Sequence, residues 1–494
     1  MNQPSQYERI GTATLYTGFG YDGATGAVND ITETGHYAGA YTTLSDSDYS
    51  YDNAGNVTSI STTSSTLATD TQCFSYDYLQ NLTSAWTPSS NSCTAAPTSS
   101  TIGGPAPYWD DYSVDPATGN RLSTTENAIA AGGTSTSDTY AYPAAGTAQP
   151  HAVQSVSHVT GGTTTTSSYG YDADGDTTTR PGQTLTYDPE GKISTVTAGS
   201  NSESDVYDAS GNLLLQKDST TGTTLYLGAT ELHLAAGAST ASAVRTYTVN
   251  GTPIAERSTV AGVSGSTVTW LGADAQGTVD MQVTATTDAV TVRLQDPFGQ
   301  ARGTSTTTWA DGHGFLNATS DAFSGLVQLG ARMYDASIGR FLSVDSVLSP
   351  FDPQQNNGYA YAHNTPITSS DPTGLLTGLQ KICAIAANDC TAPSGGSSKG
   401  GSSGSGSHEE QTPPAPGQAQ AQWVFEHDFG NTSLPIGVDV GKDGLYRTQA
   451  LAPQLRWGYG GPSRRCVRVL HPGGCNSRSV HCRPHEVRVL GVER

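Results

Sequence analysis

Positive charge and long apolar runs are what this sequence has least of. Lys and Arg together number 23 against 44 Asp and Glu, and the formal net charge is -21. A field of that sign repels phosphate backbones and anionic membranes, so nucleic-acid binding is excluded as the role of the chain as a whole. No run approaches the roughly 18 apolar residues that a membrane-spanning helix needs, and no span is expected. The start, MNQPSQYERIGTATLY, lacks the basic-then-apolar shape of a signal peptide. A chain that works outside the cell would then be a fragment, a standalone cassette, or the cargo of a signal-independent secretion machine. Seven Cys across 494 residues are too sparse for a disulfide framework. Cys73 with Cys93 and Cys383 with Cys390 are the pairs open to oxidation outside the cell, and the odd count leaves at least one thiol over. Only 35% of the residues are hydrophobic, whereas Gly numbers 57 and Tyr 24. A Gly-, Thr- and Tyr-rich, Leu-poor balance favours strands joined by tight turns over helical bundles.

The chain repeats itself. Tyr21-Asp22 with Gly26, Tyr51-Asp52 with Gly55-Asn56, Tyr76-Asp77 with Asn81, Tyr171-Asp172 with Gly175, Tyr187-Asp188 with Gly191 and Tyr207-Asp208 with Gly211-Asn212 share one form. A degenerate copy, VDPATGNRLST, begins at Val114. In each, an aromatic residue closes a strand, Asp accepts backbone hydrogen bonds at the turn, and Gly supplies a positive φ. An alternating strand such as KISTVT or NLLLQ then leads away. One hairpin cannot bury its own apolar face, so successive units must stack, with Tyr rings packed and their hydroxyls still reaching polar partners.

The Y-D-x-x-G-N unit resembles the YD repeat of bacterial RHS proteins, insecticidal toxin-complex C components and teneurins. That resemblance implies an all-β fold, a YD-repeat hairpin strip that coils into a shell. Residues 313–375 resemble the RHS repeat-associated core that closes such a shell. The matching marks are Gly325-Leu326, Leu329-Gly330-Ala331-Arg332, Tyr334-Asp335, Gly339-Arg340-Phe341, Asp352-Pro353-Gln354-Gln355, Gly358-Tyr359-Ala360-Tyr361, Asn364-Thr365-Pro366 and Asp371-Pro372-Thr373-Gly374-Leu375. In families with this core, two aspartates form an intramolecular aspartyl protease that cuts just after D-P-x-G-L. Carried over, Asp371 is one aspartate, Asp345 the other, and the scissile bond joins Leu375 to Leu376. Two adjacent carboxylates suit that chemistry, because like charges raise one pKa and leave one acid protonated while the other activates water. Asp345 sits in Val344-Asp345-Ser346 without the Pro that usually follows, and its spacing to Asp371 is long. Asp352, inside that longer stretch, is the competing candidate. Arg340 is placed either to steady an ionised carboxylate or to pack at its turn, and packing is favoured.

The expected organisation is a YD shell over 1–312, the core over 313–375, a Gly/Ser/Pro-rich linker over 376–422 and a variable region over 423–494. The linker reads SGGSSKGGSSGSGSHEEQTPPAPGQAQAQ, the composition of a flexible coil. Glu426-His427-Asp428 has residue types used in acid–base catalysis but reads better as surface. Cys466, His471, Cys475, His481, Cys482 and His485 lack paired zinc-ligand spacing, so no metal and no cofactor is expected.

The resemblance implies a polymorphic-toxin component that encloses its own C-terminal tail as cargo and releases it by self-cleavage. A nuclease-like activity for the tail, a neighbouring immunity protein and a secreted or cell-surface location belong to that reading. A cell-surface carbohydrate-binding protein without cleavage, or an inactive orphan cassette, are the alternatives.

Overall fold

Five of the six Tyr-Asp turns named above close a strand pair in the same way, and the Tyr21-Asp22 turn is one residue longer, with Asp22 Oδ1 accepting from Ala24 and Thr25. In the computed structural model, which describes residues 5–303, 309–347 and 356–375 together with the strands Ile436–Val440 and Tyr446–Ala450, the strand Ala40–Tyr51 ends at its tyrosine. Asp52 Oδ1 then accepts the N–H of Ala54 (2.8 Å) and of Asn56 (2.9 Å), and its Oδ2 accepts Asn56 Nδ2 (2.8 Å). Asp77 does the same for Leu79 and Asn81, and Asp208 for Ser210 and Asn212. These are N–H groups that the tight turn would otherwise leave unpaired. Gly55 completes the turn at φ 87°, a conformation costly for any residue with a Cβ.

The tyrosine does a second job. A register shift falls at Tyr21, Tyr51, Tyr76, Tyr171, Tyr187 and Tyr207, so each motif carries a bulge that re-aims its ring. The Tyr51 hydroxyl donates to Val28 O (2.5 Å), Tyr76 to Val57 O (2.7 Å) and Tyr187 to Thr177 O (2.8 Å). Each acceptor lies just past the turn of the preceding repeat, so these three units are stitched to their predecessors.

The hairpins follow one another in chain order. Strands from Gln6–Arg9 to Thr163–Ser168 make one antiparallel sheet, and those from Gly170–Tyr171 to Val290–Val292 make a second sheet of 13 strands. Tail strand Tyr446–Ala450 lies parallel beside Gln6–Arg9, and Ile436–Val440 pairs antiparallel with it, bringing the first sheet to 14 strands. Among the described residues there is no α-helix, only the short 3₁₀ turns Phe315–Asn317 and Ala362–Asn364. The fold is all-β, as the repeats imply. The turn chemistry also runs on past the last Tyr-Asp motif. Asp274 accepts from Gln276 and Thr278, and Asp296 from Phe298 and Gln300.

Inward residues of both sheets share one core. Leu15, Ile31, Leu44 and Val57 of the first meet Ile254, Trp270 and Val283 of the second, together with Phe315, Tyr334, Phe341 and Tyr361. Arg9, 2% exposed, reaches across between the sheets, donating to Ile254 O (3.0 Å) and Leu271 O (2.6 Å) within 3.7 Å of Glu33. Cys73 and Cys93 form a disulfide that ties the loop after Leu82–Trp86 back onto the sheet, against Trp86 and Ile102. A closed loop of this size constrains the unfolded chain by about 3 kcal/mol. Reduction is therefore expected to lower the denaturation midpoint, and Cys73→Ser should reproduce that loss without reductant. An unchanged midpoint after verified reduction would show that the clip adds nothing.

Candidate functional site

The described residues of 313–375 have little regular structure of their own and are held by the sheets. They form a sheet of four short strands, Thr319–Ser320, Val327–Leu329, Arg332–Asp335, Arg340–Phe341. Tyr334 is its hub, with Tyr361 at 4.9 Å, Phe341 at 5.8 Å and Phe315 at 5.9 Å between ring centres. Backbone carbonyls that this irregular segment leaves open are taken by side chains of the repeats. Lys192 Nζ donates to Ala331 O (2.7 Å), Thr177 Oγ1 to Leu342 O (2.7 Å), Arg180 to Ser324 O (3.0 Å) and Gln276 Nε2 to Pro366 O (2.7 Å). Arg180 also pairs with the buried Asp335 at 2.9 Å. Such bonds matter because an unpaired carbonyl in this interior would cost more than the bond itself contributes.

Within this frame Asp345 and Asp371, 26 residues apart in sequence, meet at one guanidinium. Arg332 Nη2 donates to Asp345 Oδ2 at 2.9 Å and to Asp371 Oδ2 at 3.2 Å. Asp371 is fully buried, and the Asp345 side chain is 17% exposed. The remaining nitrogens of Arg332 hold backbone, Nη1 on Gly358 O (2.7 Å) and Nε on Gly374 O (2.5 Å), while its plane lies 3.6 Å from the centre of the Phe341 ring. The other oxygen of each aspartate caps a turn. Asp345 Oδ1 accepts Val347 N–H (2.8 Å), and Asp371 Oδ1 accepts Thr373 Oγ1 (3.0 Å) and Leu375 N–H (3.3 Å). Turn capping and mutual approach thus use different oxygens of the same carboxylates.

The charges do not balance. Two carboxylates and one guanidinium leave the group short of a positive charge, a deficit that a single proton removes. Burial pushes the Asp345 carboxyl up, the Val347 N–H and Arg332 pull it down, and Asp371 adds to the rise; the net direction is upward. Burial also lowers Arg332 from its ordinary value against the pull of both aspartates.

The D-P-T-G-L segment is clasped against the turn before Arg332. Ala331 N–H donates to Thr373 O (2.8 Å), and Gly330 and Gly374 face each other's strands so closely that a Cβ on either would sit 2.3 Å from a backbone oxygen. Gly374 also adopts φ 63°. Arg340 lies elsewhere, donating to His151 O (2.6 Å) and packing near Tyr142 and Tyr359. Asp352, Leu376, Glu426-His427-Asp428 and the Cys/His set from Cys466 to His485 lie outside the described residues. Arg332 was visible in the sequence only as a letter of the L-G-A-R mark. What singled it out is its position between strands, which no local pattern encodes. Among the described residues no group of three or more His, Cys, Asp or Glu is arranged to hold a metal ion, and no helix is long and apolar enough to cross a membrane.

Repeated Asp-capped turns, the tyrosine stitch and a core held by the repeats are the features of a YD-repeat shell, the class of fold that this chain resembles. Residues 153–367, a little under half of the chain, match the family described as teneurin YD-shell. Among solved structures, a crystal structure of TcdB2-TccC3 matches at TM-score 0.46 and 16% identity, covering 73% of this chain and 21% of that one. TcdB2-TccC3-Cdc42 matches at 0.47 and 16%, covering 75% and 21%. A Tc holotoxin pore from Photorhabdus luminescens with a substituted TccC3 matches at 0.45 and 17%, covering 74% and 20%. At these scores the likeness stands as a resemblance alone, and the chain spans about a fifth of the length of those chains. No curated protein matches it.

Proposed function

We propose that this chain is the shell and core of an RHS-type toxin component, which encloses its C-terminal region as cargo and frees it by cutting itself after Leu375. The observation that carries the reading is the single guanidinium of Arg332 holding Asp345 and Asp371 together, with Leu375 N–H on Asp371. In this reading Asp345, the more exposed carboxyl and one raised by its surroundings, keeps a proton and polarises the carbonyl that is attacked. Asp371 activates the water. Arg332 sets their separation and pins Gly374 O, so that the chain just before the cut cannot swing away. The titration belongs to the pair. The boundaries 1–312, 313–375, 376–422 and 423–494 divide shell, core, linker and effector, and the effector works with an immunity protein as its antidote. Export fits the Cys73–Cys93 disulfide, since such bonds persist in oxidising compartments.

Intact mass of the purified wild type beside Asp371→Asn tests the reading. The expected result is two fragments with a break after Leu375 in the wild type and one uncut chain in the variant. One uncut chain in both would overturn it.

A further inference from the structure

At the edge of the first sheet, three neighbouring strands present a second chemical group that the core does not use. They are Thr136–Ala141, Ser155–Thr160 and Thr163–Ser168. Their register sets Asp138 opposite His158 and His158 opposite Thr165, so Ser167, two residues on from Thr165, projects from the same face. His158 Nδ1 lies 2.7 Å from Asp138 Oδ1, and His158 Nε2 lies 2.9 Å from Ser167 Oγ.

We propose that Ser167, His158 and Asp138 form a nucleophilic triad that transfers or hydrolyses neutral short-chain acyl esters. A carboxylate only accepts, so Nδ1 must carry the imidazole hydrogen. Neutral Nε2 is then left with its lone pair toward Ser167, whose hydroxyl donates to it. That is the arrangement in which a serine can lose its proton as it attacks. The side chains of His158 and Asp138 are 32% and 20% exposed, so a substrate can reach them.

The same edge supplies donors for the oxyanion. Gly161 and Gly162, both at positive φ (57° and 81°), make a two-residue turn that pairs Thr160 with Thr163. Hydrogen-bonded pairs then alternate along the ladder, which directs the N–H groups of Thr165 and Ser167 inward and those of Thr166 and Ser168 off the sheet. The strand Thr163–Ser168 is the last of its sheet, so those two groups face outward beside the serine. Glu126, opposite Thr136 on the next strand, acts electrostatically on both Asp138 and His158. Two carboxylates on the same sheet face, Asp138 and Glu126, repel acidic substrates, and the open face suits a small acyl group, such as an acetyl ester displayed on a larger molecule.

The step balances with water as the only co-reactant. Ser167 Oγ bonds to the ester carbonyl carbon while its proton passes to His158 Nε2. The ester C–O bond breaks, and the departing alcohol takes that proton. Water then attacks the acyl-serine by the same route, releasing the carboxylic acid and restoring Ser167. Asp138 acts as a positioning residue through His158.

The full chain is treated with a fluorophosphonate probe and assayed with p-nitrophenyl acetate. The expected result is one label, mapped to Ser167 by peptide mass, that is absent in Ser167→Ala and His158→Gln. Turnover should fall roughly a hundredfold or more in both. Asp138→Asn should lower kcat with KM unchanged, which a merely structural aspartate would not do. Should Ser167→Ala fold poorly, Ser167→Cys serves instead, and its thiol should react with iodoacetamide faster than in the Ser167→Cys/His158→Gln double variant. No label at Ser167 in folded protein, or ester turnover unchanged in Ser167→Ala, overturns the proposal. Neither result bears on cleavage after Leu375.

Discussion

Replacing Arg332 with methionine is expected to leave the chain uncut and to lower its stability by roughly 3–5 kcal/mol, the cost of breaking a buried ion pair from one side. The size follows from what stays behind. Asp371 has no exposure at all, and its Oδ2 loses the cation facing it, as does Asp345 Oδ2. Gly374 O loses its Arg332 donor in the same stroke, while Gly358 O keeps only the Asp345 N–H. Methionine still fills the space over Phe341, so the change reports charge and hydrogen bonding more than volume. Arg332→Lys tells more, because it keeps the charge but cannot serve four acceptors from one plane. It should recover part of the stability and little of the cleavage. Chemical denaturation read beside intact mass separates the effects, and an Arg332→Met chain that still cuts itself would remove Arg332 from the proposed mechanism.

The second large effect is a fall in stability as pH rises. Burial pushes several carboxyls far up: Glu203 to about 10, Glu256 and Asp110 to about 8, Asp205 and Glu33 to about 7. Asp321 raises both Glu203 and Asp205 further, whereas Arg9 and Thr17 hold Glu33 down. In the unfolded chain these groups ionise near pH 4. Between that value and their folded values the folded chain binds more protons than the unfolded one, so stability drops as pH climbs through the window of about 4 to 10. Each unit crossed by one such group is worth about 1.4 kcal/mol. The turn aspartates work the other way. Asp22, held low first by the Thr25 N–H, and Asp208, held low first by Asn212, contribute stability that is lost as pH falls below about 4. The melting temperature is therefore expected to be higher at pH 5.5 than at pH 8.5, by about 5 °C at the least, since each of the five groups crosses more than one unit in that interval. Glu203→Gln should shrink the difference without removing it, because the other four carboxyls remain. Equal melting temperatures at the two pH values would mean that these carboxyls ionise in their ordinary range.

The sequence made the turns legible because their chemistry is local. A Tyr, an Asp and a Gly or Asn within six positions suffice to place a strand end, a capped turn and a bulge, and Tyr51 through Asn56 do all three. Cys73 and Cys93 were legible as a pair by proximity in the chain. The continuation of the repeat through Asp274 and Asp296 was not, because Ala273 and Gln295 stand where the tyrosine serves as a marker. The turn needs only the carboxylate and the positive φ of Gly277 and Gly299. The break between the two sheets near Tyr169 left no trace in composition either. At the candidate site, Asp345 and Asp371 were named from the marks around them, while Arg332 and the clasp of Gly330 on Thr373 depend on contacts across 13 to 43 residues. The Asp138–His158–Ser167 row spans three strands and has no linear signature.

The bonds from Lys192, Thr177, Arg180 and Gln276 to the core have a consequence for timing. From Thr14–Tyr21 onward each strand of the two large sheets pairs with its sequence neighbours, so the ribbon can form progressively along the chain with no distant partner to await. The segment carrying Arg332, Asp345 and Asp371 comes after all of those donors and has scant regular structure to organise itself. The frame that brings its carboxylates together is therefore one that the preceding ribbon supplies. Scission would then act as a checkpoint, passed by chains that have finished assembling and withheld from those that have not.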